Sequence, residues 1–551
     1  GTQNITNNSI VTAFNKPGPG GTIIGLTSTS FSATGAISTI TNNNLSNITT
    51  TGATAITGIN NADGSSSGAT RTVTGNTLNN WTTGTGVIIG MSFSYFGGTS
   101  SLSNNTVTNL TGQSSITGIT IGSSGNLANP LNIANNTITG LSSTGTGGNV
   151  TGLTCANSSP VVNINANTIN TLSSSGATST VLGLAVTGAT LTNAYQNTIH
   201  TLSGSGAATP LVHGMQVSGG TAVNVYRNKV YGLSQSGAIT SALLTVNPVK
   251  GILLSGGTTV STYNNIIGGL TAPNASLPDA IHGISVSSSA TNSTQKVYNN
   301  TVYLEGTGGA TFGGSGILQA ISTVATTASL DLQNNMIFNN LTPVGTGLAV
   351  AFRRTSGIAS TLANYAATSN KNLFYSGAPG ANNLIYSDGT STAQTMAQYL
   401  AGVFTAGTIA PRDANSFTET AFVPATFFTS TTGSDATFLK PAAGITTQAE
   451  GGGNPITVTS PDFNGVTRPG GSGTGYDIGA WEFDAISPNP VLSNLLMTPM
   501  GKFCPNIART VTVTATPVSG TIASVVINYS VNGVAQTPIT MTNTTGNDWS
   551  G

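Results

Sequence analysis

Charge is what this chain has least of: 5% of its residues are Asp, Glu, Lys or Arg, and 14 basic side chains balance 14 acidic ones. Ordinary globular domains carry roughly 25%. So few cations leave no basic face for phosphates, which argues against nucleic acid as a partner. No apolar run approaches the ~18 residues of a membrane-spanning helix, so no membrane span is expected. Disorder usually pairs low hydrophobicity with high net charge, and 37% hydrophobic residues at zero net charge argue for a folded chain. Cysteine is nearly absent. Cys155, in "GLTCA", reads as a small buried hydrophobe and Cys504 as a residue pairing outside this sequence; two cysteines are too few to report a redox compartment. A signal peptide is not visible: "GTQNITNNSIV" opens inside the repeat described next, so the chain reads as a processed or partial piece of a longer protein.

Small polar residues stand where charge is missing, and they repeat. Aligned on an Asn two residues before an apolar residue, the motif recurs at Asn8, Asn43, Asn76, Asn105, Asn136, Asn167, Asn197, Asn228, Asn265, Asn300, Asn335 and Asn372. A second marker, Gly followed by an apolar residue, keeps step: Gly118–Ile119, Gly152–Leu153, Gly183–Leu184, Gly214–Met215, Gly251–Ile252 and Gly283–Ile284. Each copy holds three short alternating runs rich in Thr, Val, Ile and Tyr, separated by Gly, Ser and Asn, and no copy has room for an ordinary helix. Three strands per ~30-residue copy predict an all-β chain dominated by a parallel β-helix of about a dozen coils, right-handed as parallel crossovers usually are. At the ~4.8 Å strand spacing a dozen coils make a rod roughly 60 Å long.

Inward positions follow from the alternation. Ile133, Ile164, Val225, Val297 and Leu332 precede the marker Asn by three residues. Ile138, Ile169, Ile199, Val230, Val302 and Ile337 follow it by two, and Ile48, Trp81, Leu110, Leu141, Leu172, Leu202, Leu233 and Leu270 by five. The marker Asn itself is read as a step in a structural ladder, its amide bonding the backbone or the Asn one coil away; the ladder set is Asn105, Asn136, Asn167, Asn197, Asn228, Asn265, Asn300 and Asn335. The rivals are a binding role or a glycosylation acceptor at Asn136 and Asn300, although the Asn-x-Thr match in each "NNT" falls one residue earlier, on Asn135 and Asn299. Two residues before the marker stand Tyr195, Tyr226, Tyr263 and Tyr298, an outward column that either stacks on sugar rings or forms an intramolecular ladder.

The pattern ends near residue 375. "STAQTMAQYLAG" predicts one short helix with Met396 and Leu400 on one face, and the region 376–486 is assigned to the last coil and a polar cap. Asp462, Arg468, Asp477 and Glu482 are expected to pair within that cap, with calcium there as an alternative. From 487 onward, alternating strands, a "VNG" turn and Trp549 suggest the start of an immunoglobulin-like sandwich, short of the ~100 residues usual for one. "DFNGVTRPG…YDIGAWEF", preceded by "NLFYSG…AQYLAG…RDANS…FLKPA", resembles the closing motif of large secreted right-handed β-helix proteins of Bacteroidota-type bacteria. The resemblance covers residues 1–486; its repeats are generic and its end motif fairly specific. It implies an extracellular or cell-surface protein, often type IX secretion cargo with a C-terminal sorting domain; no such domain is in this sequence.

Parallel β-helices also host polysaccharide lyases and hydrolases, whose chemistry needs paired carboxylates or a base with a cation or metal. Between Arg71 and Arg227 the sequence has no Asp, Glu, Lys or Arg. His200, His213 and His282 are read as falling at different repeat positions without metal-ligand spacing. Asp279, Glu305, Asp331, Arg353 and Arg354 come later, with no two acids in one column. No catalytic residue, metal ligand or cofactor is therefore assigned. The leading expectation is a non-catalytic extracellular structural or adhesin-type rod that meets cell-surface or extracellular polymers, possible glycans among them, or self-associates into bundles or filaments. The alternative is a carbohydrate-binding or polysaccharide-degrading module.

Overall fold

The structure, a computed structural model, describes residues 1–551 except 30–34, 63–69, 95–96, 123–129, 241–246, 289–291, 321–327, 356–361, 405–406, 471–474, 489–490, 501–507, 517–521 and 532–533. Cys504 lies outside the described residues. Nearly all the regular structure is strand. Three sheets of 11, 13 and 13 strands run the length of a β-solenoid, and successive coils contribute one strand to each in turn. Taking the coil of Asn197 as an example, Leu191–Tyr195 lies in the first sheet, Thr198–Gly204 in the second and Leu211–Val217 in the third. All three pair in parallel with the coils on either side. Each expected inward column is buried, from Ile133 to Leu332, Ile138 to Ile337 and Ile48 to Leu270. Stacking thus turns a repeated residue class into one continuous core.

Asparagine forms the ladder that the spacing predicts. From Asn8 to Asn335, each marker donates its side-chain N–H to the Oδ1 of the next at 2.8–3.0 Å. The same Oδ1 also accepts the backbone N–H of that donor, as from Asn136 to Asn167 at 3.0 Å. A further side-chain bond reaches a carbonyl one coil back, as from Asn136 to Leu102 at 2.9 Å. The left-handed turn sits one residue earlier than the Asn. The residue before every marker, from Asn7 to Lys371, has φ between 48° and 68°. Asn, Gly or another residue there bends the chain, and the following Asn is freed to point inward.

The glycine marker has a steric cause. A Cβ on Gly183 would stand 2.5 Å from the Gly214 carbonyl oxygen and 2.6 Å from Ile199 Cγ2. Each third-sheet strand skips this residue in its pairing, so Leu182 opposes His213 and Leu184 opposes Met215. The residues on either side of the glycine therefore face opposite ways, Leu182 outward and Leu184 into the core, where simple alternation would put both on one face.

The last coil is closed by residues the repeat does not contain. Asn372 donates to Asp413 Oδ1 at 3.0 Å, and its backbone N–H goes to Ser416 Oγ where the next Asn would stand. Asp413 also accepts from Tyr365, Tyr399 and Ser416. The helix Met396–Ala401, opened by a capping box between Thr395 and Gln398, adds Met396 and Tyr399 to the solenoid core.

Residues 422–483 take a different course from the expected cap over the last layer. The described residues among them lie along the outside of the second sheet, where Ile266, Tyr303, Met336, Phe338 and Leu373 pack with Phe422, Phe427, Phe428, Phe438, Ile478, Trp481 and Phe483. The outer face of these late coils is apolar, and burying a large side chain is worth about 1.5–3 kcal/mol, so a covering segment is held there rather than at the end. The C-terminal residues include an antiparallel four-stranded sheet around Val513, Ala515, Met541 and Trp549. Among the described residues no helix is long and apolar enough to cross a membrane.

Candidate functional site

Most of the outward surface is Thr, Ser and Asn, but one column on the third sheet is different. Register places His213, Lys250, His282 and Ser315 on successive strands at one outward position. Each stands immediately before a bend glycine (Gly214, Gly251, Gly283, Gly316), which corrects the reading that the histidines occupy unrelated positions. His213 and His282 share a column, with Lys250 between them. Alignment on glycine rather than on Asn would have shown it.

Asp279 and Arg353 complete the cluster. Asp279 lies 3.0 Å from His282 Nε2 and 3.3 Å from Arg353 Nε, and it accepts the Ser315 hydroxyl at 2.7 Å. Arg353 Nε also donates to Ser315 Oγ at 2.7 Å. Burial alone would raise the Asp279 pKa, but Arg353 and His282 outweigh it and hold the carboxyl well below its usual range. His213 is 4% exposed and, among the described residues, neither of its ring nitrogens has a hydrogen-bond partner. Burial, reinforced by Lys250 and His282, pushes its pKa down to about 3. Burial likewise lowers His282 against the pull of Asp279, and lowers Lys250. The cluster therefore holds one satisfied carboxylate, two neutral imidazoles at neutral pH, and a lysine with no carboxylate of its own in contact.

The tyrosines form a stack. Tyr195 and Tyr226, and Tyr226 and Tyr263, have ring centroids 4.9 Å apart and nearly parallel planes. Tyr263 and Tyr298 are 8% and 7% exposed, and Tyr298 donates to Asp331 at 2.6 Å. Only Tyr195 and Tyr226 remain half-buried. The expected four-residue stripe is thus accessible over two.

Asp462, Arg468, Asp477 and Glu482 are brought together. Arg468 pairs with Glu482 and donates to the carbonyls of Thr459, Asp477 and Gly479 and to Asn264 Oδ1. Asp462 accepts the backbone N–H groups of Asn464, Val466 and Glu482, and Asp477 those of Gly451 and Phe483. Burial and the nearby Glu482 raise the Asp477 pKa to about 8. The cluster knots the segment against the side of the solenoid. Asn264, Asn299 and Asn334, the left-handed residues before three ladder positions, donate to the carbonyls of Thr459, Asp477 and Asn454 at 2.7–3.0 Å. In these three "NN" pairs the first Asn grips the covering segment and the second joins the ladder. Gly479, at φ 103°, approaches so closely that a Cβ would meet Thr301 Oγ1 at 2.9 Å.

The other polar candidates are dispersed. His200 stacks on Tyr231 at 4.7 Å. Exposed Glu305 accepts the Tyr303 hydroxyl at 2.5 Å. Arg354 is buried against Gln319 and Asn364. Among the described residues no group of three or more His, Cys, Asp and Glu is arranged to hold a metal ion.

No family model, curated protein or solved structure matches this chain. The functional reading therefore rests on its own residues.

Proposed function

We propose that this chain is an extracellular rod at a bacterial cell surface, structural or adhesive rather than catalytic. The observation that carries the reading is the Asn ladder from Asn8 to Asn372, buried from Asn43 onward and ended by Asp413 and Ser416. It commits a recurring buried Asn of the repeat to rigidity and length. The nearly uncharged flanks suit lateral contact with extracellular polymers or with further copies. The end motif's resemblance to secreted β-helix proteins supports export, with the type IX route as one means. Adhesion of the purified chain to cells and immobilised glycans, alongside a turnover screen on acidic and neutral polysaccharides with and without calcium, tests the reading. Adhesion without turnover is expected; turnover of any polymer would replace the rod with the enzyme reading.

A second reading, carbohydrate binding, draws on the half-buried Tyr195–Tyr226 stack, since aromatic faces stack on sugar rings. Tyr195→Ala with Tyr226→Ala should then abolish glycan retention while the fold survives. Unchanged retention in that folded double variant removes it.

A further inference from the structure

The polar column of the third sheet is distinct from both the ladder and the tyrosine stack, and neither the rod nor the glycan reading uses it. Polar side chains buried without a partner are uncommon, because an unmade hydrogen bond leaves their loss of water uncompensated. His213 has two such nitrogens and is nine-tenths buried or more. Beside it on the next strand stands Lys250, which is partly exposed. The one carboxylate of the cluster, Asp279, is already shared by Arg353, Ser315 and His282. Lys250 and Arg353 therefore bring two positive charges against one negative, in a chain with only 14 basic residues.

From this geometry we infer that the His213–Lys250–His282 column is a binding site for a single oxyanion, a carboxylate or sulfate group. Lys250 supplies the charge. A neutral imidazole carries one N–H, so His213 donates a hydrogen bond to the oxyanion and no longer leaves that donor unmade. Arg353 and Asp279 are fixed to one another and set the edge of the site: Asp279 repels a second acidic group, which favours a ligand with one oxyanion group over a dense polyanion. The same chemistry is offered by a free inorganic anion and by the acidic group of a sugar.

Titration of the full chain with sodium sulfate and with galacturonic acid, against chloride-matched buffer and galactose, tests the site. The readouts are the histidine side-chain resonances and the binding heat. Saturable shifts at His213 with either anion are expected. Sulfate alone marks a free-oxyanion site, galacturonic acid alone a sugar-carboxylate site, and both support the shared chemistry. Lys250→Met should weaken binding at least tenfold with an unchanged melting profile, and Lys250→Arg should restore most of it. His213→Gln, which keeps an N–H donor, should weaken binding less than His213→Leu. No saturation by either anion, or equal binding by folded Lys250→Met, overturns the inference. Loss of adhesion by the rod would leave it untouched, so the two readings fail separately.

Discussion

Between Arg71 and His200 the coils carry no Asp, Glu, Lys, Arg or His, whereas from Arg227 onward the same repeat is decorated with charge, aromatic rings and a covering segment. The inward columns and the ladder are unchanged across the two stretches. What differs is the outer face. Asn170 in an early coil corresponds in register to His200, then Tyr231, and the line continues through Gly268 to Tyr303 and Phe338. A solenoid keeps its core when its outside changes, because each coil's core contacts are made with its neighbours above and below. Outer positions are free to acquire a second layer or a site, and here the late coils acquired both.

The sharpest way to break that comparison is at Arg468. Glu482→Ala leaves a buried guanidinium without its carboxylate, and loss of one partner of such a pair costs about 3–5 kcal/mol. Denaturation followed by hydrogen exchange should show the loss in residues 422–483 and the coils beneath them, with the early coils protected as before. Equal loss in the early coils would mean that the two stretches unfold as one unit.

Asn136→Ala tests the early stretch in the same way. It removes the acceptor for two N–H groups of Asn105 and the donor to the Leu102 carbonyl and to Asn167 Oδ1. At about 1 kcal/mol for each bond, the expected destabilisation is about 4 kcal/mol. Asn300→Ala should cost about the same, because the late coil's outer layer adds nothing to the ladder. A much smaller loss at Asn300 would show that the covering segment compensates for it.

The early stretch was legible because its rules are periodic: Ile138, Ile169 and Ile199 recur at fixed offsets from the ladder Asn, and recurrence reveals a column. Late-coil features are not periodic, and so they were harder to read. Nothing in "DIGAWEF" states that Gly479 will pack on Thr301, since those residues lie far apart and occur once. The apolar outward residues Ile266, Tyr303, Met336 and Phe338 were the available signal, because exposed columns of that kind call for a cover. Asn264, Asn299 and Asn334 were visible as doublets with the ladder Asn, but a left-handed turn alone accounts for a doublet. The His213–His282 relation was hidden by choice of frame, because the 29- to 37-residue coils differ in the loops between the Asn and the glycine.

Acid sharpens the comparison at His213. Its folded pKa is near 3 against an ordinary 6.5, so between those values the unfolded chain binds a proton that the folded chain refuses. Stability is therefore complete above pH 6.5 and falls with pH below it, by ~1.4 kcal/mol per unit at most. Lys250, His282, Asp279 and Arg353 face the same site. His282 adds in the same direction, and Asp477, with its raised pKa, acts oppositely between pH 3.8 and about 8. The difference between wild type and His213→Gln isolates the single group. From pH 6.5 to 4.5 the variant should lose less stability than wild type, whereas parallel profiles would show that His213 is protonated in the fold.

The smallest effect is expected where the two stretches meet. Tyr226 stacks on Tyr195 toward the early coils and on Tyr263 toward the late ones. Each such aromatic pair is worth about 0.5–1.5 kcal/mol beyond its buried area. Tyr195→Ala removes one pair and Tyr226→Ala removes two, so their costs should differ by about one pair. Tyr263 is the deeper ring at 8% exposed, so Tyr263→Ala should exceed Tyr226→Ala even though it breaks one stack fewer. The order Tyr263, Tyr226, Tyr195 in denaturant unfolding would mean that burial, more than the stack, sets what each ring contributes. The order Tyr226 first would return the stack to that role.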